Sequence, residues 1–324
     1  MSVGIRALAG YVPQKIVTND EVSHTTGASQ DWIVERTGVE TRRFAASEQA
    51  TSDLAERAIR NLGPIDTRNV RYLIVATSTP DQPQPSTAAI LQGRLGWEGV
   101  PSFDINAVCS GFVYALVVAS RLLSDEDSDG IAIVVGSDRY SGILDMTDRR
   151  TASLFGDGAG VAVLGQVPQG YGIRGHCLKT HGKYSDAVGV RVGGTREPTT
   201  TKNLAEGGDR FRMDGRIARE YIAQVLPGVV QSALDQSALE ISDLSRIFMH
   251  QGNVRLVESV ADLLDVPRDL VPITADKWGN TAAASIPLTM SDATIENPFI
   301  RGEHIMLAAV GGGLTAGAVI LTWY

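Results

Sequence analysis

The residue best suited to covalent chemistry in this chain is Cys109. It stands in the run DINAVCSGF (104–112), behind a short apolar stretch and ahead of an almost wholly apolar one. A thiol at the start of a helix feels the positive end of the macrodipole. That lowers its pKa below the usual ~8.5 and raises the thiolate fraction. Gly111 permits close approach of a substrate, and a backbone N–H of the same turn can donate to a developing oxyanion. A buried, inert cysteine fits the same segment, and a nucleophile also needs polar partners. His250 closes a strand pattern in FMHQGN (248–253), and strand ends opening into loops are where α/β sites gather. Asn280 stands in WGNTAAASIP (278–287), where its amide could donate hydrogen bonds or simply cap the helix that follows. Singly, each signal is weak. Together, Cys109, His250 and Asn280 occupy corresponding ends of duplicated units, which would converge them near a pseudo-twofold axis.

Positioning them calls for alternating strands and helices. Residues 51–63 read as an amphipathic helix with Leu54, Ala55, Ala58, Ile59 and Leu62 on one face and Gly63 as its stop. Residues 70–76, 103–105, 131–135 and 160–164 read as buried strands, and 109–123 as a buried helix. The plan then repeats, with a strand at 246–250 and a helix at 253–264. The segments 155–165 (FGDGAGVAVLG) and 310–322 (VGGGLTAGAVILT) share wording, glycines ahead of an apolar Gly/Ala/Val strand. This is an α/β chain with sheets covered on both faces, duplicated over half its length. We divide it into 1–166, which carries the nucleophile, and 167–324, which carries the histidine and asparagine. Residues 167–209, rich in Gly, Thr and Lys, read as a link and a surface excursion.

Composition narrows the function. The chain has 324 residues, 29 Lys and Arg against 37 Asp and Glu, a net charge of −8, 34 glycines and two cysteines. Two cysteines far apart do not make a disulfide scaffold, so a reducing, cytoplasmic compartment is the simpler expectation. An acidic chain without a Lys/Arg run is a poor nucleic-acid binder. The five histidines are scattered away from any cysteine pair, so no metal site is expected. No secretory signal is visible. Residues 307–324 have about the length of a membrane span, but Gly311, Gly312 and Gly313 break the run. It reads as two short buried strands around a tight turn, and no membrane association is expected.

Further motifs run in order along the chain. They are Ile16-Val17-Thr18-Asn19-Asp20, Trp32-Ile33 with Arg36-Thr37-Gly38, Arg42-Arg43, Ala76-Thr77, Pro85-Ser86 and 104–111. Asp148-Arg149, 155–160, His250-Gln251, Gly279-Asn280-Thr281 and 311–314 complete the series. In these, over nearly its whole length, the chain resembles the β-ketoacyl-acyl-carrier-protein synthase III group of the thiolase-fold condensing enzymes.

The resemblance implies a five-layered α-β-α-β-α thiolase-like fold built from two duplicated halves, and a homodimer. It implies that Cys109 takes an acyl group from a coenzyme A thioester. His250 and Asn280 would bind the thioester carbonyl of a malonyl group on an acyl carrier protein and stabilise the enolate left by decarboxylation. That enolate would attack the acyl-Cys109 ester, whose oxyanion would sit between the N–H groups of Cys109 and Gly312. Coenzyme A is then a substrate, and no cofactor is needed. Trp32 and Arg149 would sandwich the adenine, with Arg36 near the phosphates. Met213, Gly215 and Asn253 would line the way for pantetheine, and Arg255 would meet the carrier. Such a reaction serves fatty-acid initiation or a secondary pathway.

The chain departs from the family pattern in places. Gly252 stands where the family often has Ala. Arg216 and Arg219 replace smaller or aromatic residues and are candidates for carrier contact. The helix after Arg255 carries Glu258 and Asp262, where basic residues often help dock the carrier. Gln84 falls where the dimer partner closes the acyl pocket, a polar residue at that gate. The stretch 308–311 lacks the second reactive cysteine of biosynthetic thiolases, and Cys177 reads as structural. Two alternatives remain, a non-condensing acyltransferase to an alcohol or amine, and a catalytically silent synthase subunit. Retained Asn280 favours condensation over the first, because decarboxylation needs the His-Asn pair, and intact Cys109, His250 and Asn280 argue against the second.

Overall fold

The computed structural model describes residues 1–125 and 129–324. Two sheets carry the architecture. The first contains β1 (Ser2–Tyr11), β2 (Val70–Ala76), β3 (Ser102–Ile105), β4 (Ile131–Asp138) and β5 (Gly158–Val167), in the spatial order β1-β5-β4-β2-β3. The second contains β6 (Gly172–Thr180), β7 (Arg246–Met249), β8 (His304–Gly311) and β9 (Thr315–Thr322), in the order β6-β9-β8-β7. In each sheet the first two neighbouring pairs are antiparallel and the next is parallel. The order and sense of the strands therefore repeat, as the similar wording at 155–165 and 310–322 implied.

Helices α1 (Gln30–Thr37), α2 (Thr51–Arg60), α3 (Thr87–Leu95) and α4 (Gly111–Leu122) belong to the first half of the chain. In the second lie α5 (Gly215–Ser237), α6 (Val254–Leu263) and α7 (Ser285–Glu296). Helices α4 and α7 fill the middle layer. There Phe112, Leu116, Ile286 and Met290 pack against Ile74 and Val134 of one sheet and Leu307 and Val319 of the other. The outer face of the first sheet, with Leu73, Val75 and Ile133, is covered by Leu54, Ala58 and Leu91 of α2 and α3. The outer face of the second is covered by Leu226, Val230 and Val257 of α5 and α6. Neighbouring strand residues such as Leu73 and Ile74 thus enter different cores, because strand side chains alternate between faces. The result is the five-layered α-β-α-β-α thiolase-like arrangement.

Three local expectations shift. The helix from Thr51 ends at Arg60, and Gly63 lies beyond it in a left-handed turn at φ +84°. Cys109 precedes its helix, in a single 3-10 turn Val108–Ser110 ahead of Gly111. The link 167–209 holds a full strand, β6, whose burial barely alternates. It is a strand because β9 supplies its partner from the far end of the chain. The apolar C-terminal run forms the expected pair of buried strands. Among the described residues no helix is long and apolar enough to cross a membrane.

Candidate active site

The nucleophile turn is tied into both halves. Asn106 Oδ1 accepts the Val108 N–H at 3.2 Å. The buried Ser110 hydroxyl lies 2.8 Å from the Ala107 carbonyl and 2.7 Å from Thr315 Oγ1. Gly311 is packed so closely that a Cβ there would lie 2.5 Å from the Ala107 carbonyl and 2.9 Å from the Cys109 nitrogen. Any side chain at 311 would push the turn away or fill the space in front of the Cys109 N–H. That N–H and the N–H of Gly312 have no partner among the described residues.

The thiol itself differs from expectation. Burial pushes the Cys109 thiol up, and the Asp138 carboxylate adds to the effect, while Cys109's own N–H opposes it. The desolvation of a thiolate here outweighs the helix terminus, so the resting group is the protonated thiol rather than a preformed thiolate.

His250 follows β7, with its N–H on the Ala308 carbonyl at 2.9 Å. Burial lowers its pKa from 6.5 to about 4, with the Ala282 backbone partly offsetting. The imidazole is therefore neutral at neutral pH. Its Nδ1 lies 2.9 Å from Ser285 Oγ, which also accepts the Gln251 N–H at 3.3 Å. With that oxygen already accepting, the Ser285 hydroxyl hydrogen is free to point at Nδ1. We assign the tautomer on that network, leaving Nε2–H as the donor. Ser285 and Gln251 were not among the sequence candidates for the site. The signal for Ser285 was a lone hydroxyl in the Ala/Ser run after Asn280.

Asn280 joins the halves. Its N–H donates to the Leu154 carbonyl at 2.8 Å, and its carbonyl accepts from the Gly156 N–H at 3.0 Å. Its side-chain Oδ1 accepts the Ala282 N–H at 2.9 Å, and no described residue takes a hydrogen bond from Nδ2. The amide is thus oriented with its donor end unspent.

Cys109, His250 and Asn280 line one apolar cavity of about 110 Å³, together with Phe155, Phe211, Met213, Asn253 and Gly312. Phe155 and Phe211 form its aromatic wall, backed by Tyr140, with ring centroids 4.5 to 5.1 Å apart. A larger cleft of about 700 Å³ shares Leu154, Met213, Ala218, Ile222, Asn253 and Leu256 with this cavity, and so leads into it. Trp32, Arg36, Gly215, Arg216, Arg219 and Arg255 line the cleft, with Arg150 and Arg212 as additions the sequence reading missed. The acidic side chains there are Asp186 and Asp214. An overall acidic chain therefore presents a locally cationic mouth.

Other candidates fall elsewhere. Arg149 is absent from the walls of both spaces. Its guanidinium lies 4.9 Å from the Trp32 ring centroid, so a purine between them requires the pair to part. Gln84 is exposed in a loop away from both spaces. Arg255 is engaged already, with Glu258 at 3.2 Å and the Glu35 carbonyl at 3.3 Å. Several motif residues prove to be scaffolding. Asp104 accepts the N–H groups of Thr87 and Ala88 at the start of α3. Buried Arg42 bonds Asn19 and the Ser153 carbonyl.

The layered fold and the Cys, His and Asn on one cavity wall define a thiolase-fold condensing enzyme, and the comparisons agree. Residues 103–182 match 3-oxoacyl-[acyl-carrier-protein (ACP)] synthase III, and residues 234–323 match the C terminal of that family. The acetoacetyl CoA synthase NphT7 of Streptomyces sp. (strain CL190) is 43% identical over 97% of this chain and 96% of that relative. The β-ketoacyl-[acyl-carrier-protein] synthase III of Fusobacterium nucleatum is 36% identical over 99% of each chain. The crystal structure of the synthase III from Thermus thermophilus superposes with a TM-score of 0.89 at 34% identity, covering 99% of each chain. The protein belongs to the β-ketoacyl-[acyl-carrier-protein] synthase III family.

Proposed function

We propose that this enzyme condenses an acyl-CoA primer with a malonyl thioester through an acyl-Cys109 intermediate. The observation that carries this reading is the single cavity shared by Cys109, His250 and Asn280 at the end of an arginine-lined cleft. In the first half-reaction the Cys109 sulfur bonds to the primer's carbonyl carbon. Coenzyme A leaves as its thiol, carrying the proton that Cys109 gives up. The N–H groups of Cys109 and Gly312 receive the oxyanion. In the second, His250 Nε2–H and Asn280 Nδ2 hold the malonyl thioester oxygen. Loss of carbon dioxide leaves the electron pair as an enolate, which bonds to the acyl carbon. The Cys109 sulfur leaves and recovers a proton from solvent. Splitting the reaction this way gives ping-pong kinetics.

Trp32 and Arg149 suit a purine, and Arg36, Arg216 and Arg219 suit phosphates. Met213, Gly215 and Asn253 lie where pantetheine would pass. Arg216, Arg219 and Arg255 are the contacts we propose for a carrier protein. We propose a homodimer, in which Gln84 would reach the partner's acyl pocket, and a cytoplasmic location that keeps Cys109 reduced. The division at 166/167 marks a duplication rather than two independently folding domains, because α7 packs on β1 and β5.

A second reading of the acceptor is also supported. On α6, Glu258 and Asp262 pair with Arg255 and Arg268 and leave little unbalanced positive charge for an acidic carrier. The Streptomyces relative is named for an acetoacetyl-CoA product. Malonyl-CoA is therefore the competing acceptor.

Intact mass after incubation with acyl-CoA tests the nucleophile. An adduct absent in Cys109→Ala supports it, and no adduct with any primer sinks it. Carbon dioxide released from malonyl-CoA, from malonyl carrier protein or from neither then separates the two acceptors from the non-condensing acyltransferase.

A further inference from the structure

The duplication reaches the catalytic turns atom by atom, and in a register other than the one expected. Asn280 corresponds to Asn106, not to Cys109. Each asparagine's Oδ1 accepts the N–H two residues on, Val108 at 3.2 Å and Ala282 at 2.9 Å. Both donor residues, Val108 and Ala282, have φ +49°, rare for residues with a side chain. Each turn continues as a 3-10 turn and then a helix of 12 residues, α4 or α7. Cys109 therefore corresponds to Ala283.

The amides of those two residues face corresponding strand ends. Strands β4 and β8 are each 8 residues long and hold the same place in their sheets, and they end at Asp138 and Gly311. Gly311 offers no side chain, so the Cys109 N–H stays open. Asp138 fills the same space in the other turn, where its Oδ2 accepts the Ala283 N–H at 2.9 Å. That amide is the only partner of Oδ2 among the described residues. Its Oδ1 is held by the hydroxyls and N–H groups of Ser78 and Thr79 and by the Thr77 hydroxyl, at 2.8 to 3.1 Å. The side chain is fully buried.

We propose that Asp138 is a resident anion in a second, duplicated oxyanion site, and that it positions Asn280 for the decarboxylation half-reaction. This rests on the condensation reading above. By anchoring the Ala283 N–H, the carboxylate fixes the neighbouring Ala282 N–H, which aims the Asn280 side chain. The nucleophile turn needs no such anchor, since its anion is the transient one supplied by the substrate. Asp138 touches no substrate and acts through the turn. A displacement on the order of 1 Å in such a group costs about a hundredfold in rate.

The test compares the half-reactions in Asp138→Asn. Acylation of Cys109 by acyl-CoA, read by intact mass, should not fall by more than about threefold, and losing the carboxylate that holds the thiol protonated works toward a gain. Release of carbon dioxide from the malonyl thioester, normalised to acylatable enzyme, should fall about 10- to 100-fold, with little change in KM. An amide-to-ester replacement at residue 283 deletes that N–H with Asp138 in place, at the cost of a weaker Ala282 carbonyl acceptor, and should give the same split, which decides the matter if Asp138→Asn does not fold. Equal losses in both half-reactions, or no loss of decarboxylation, overturn the proposal. A wild-type protein that performs neither half-reaction instead overturns the condensation reading.

Discussion

Burial holds His250 as a neutral imidazole, and pH should expose this in both stability and rate. Its folded pKa is about 4 against 6.5 when solvated. Between those values the unfolded chain binds a proton that the native state refuses. Stability is therefore lost as pH falls from about 6.5 through about 4, and the difference is worth about 3 kcal/mol. Asp138 works the other way. Burial raises its pKa from 3.8 to about 6, so the native state keeps a proton the unfolded chain releases. Stability from that source is lost as pH rises from about 3.8 through about 6, again by about 3 kcal/mol. The two slopes nearly cancel between pH 4 and 6. His250→Gln keeps an amide donor and removes one slope. Its stability relative to wild type should rise by about 3 kcal/mol between pH 7 and pH 4, read from urea midpoints followed by tryptophan fluorescence. Parallel profiles would refute a buried neutral imidazole. So would an acid limb at pH 6.5 in carbon dioxide release that persists in Asp138→Asn, which removes the other buried group titrating near there.

Ser285→Ala removes the partner of His250 Nδ1 and strands the Gln251 N–H. Decarboxylation should fall roughly 10-fold at unchanged KM, matching the ~1–1.5 kcal/mol of one buried hydrogen bond. Phe211→Ala opens the aromatic wall beside Tyr140 and Phe155. It should cost about 3–5 kcal/mol in chemical denaturation and admit longer acyl adducts by mass. Arg216→Glu with Arg219→Glu should raise KM for the CoA thioester severalfold, an effect that shrinks at high salt because both side chains are exposed. An unchanged KM at low salt would remove them from the binding surface.

Most of the elements, and the residue types that line the site, are legible in the sequence. Periodicity found α2, β2, β4 and the C-terminal strand pair, because strand and helix side chains repeat on fixed periods. Residue type and place in the duplicated units singled out Cys109, His250 and Asn280, which line one cavity, and ordered motifs named Trp32, Arg36 and Arg255, which line the cleft. It did not find β6, whose residues barely alternate, nor the role of Ser285, whose meaning depends on an imidazole 35 positions away in the chain. Three features exist only in the folded chain. Folding set the register of the duplication, pairing Asn280 with Asn106 through backbone conformations that no residue type announces. It set the ionisation of the site, protonating the Cys109 thiol and neutralising His250, because desolvation depends on everything packed around a group. It also decided which amide stays open. Gly311 and Asp138 look unrelated in the sequence, yet they end equivalent strands. One leaves an N–H for substrate and the other occupies its twin, a relation that exists only once both sheets have formed.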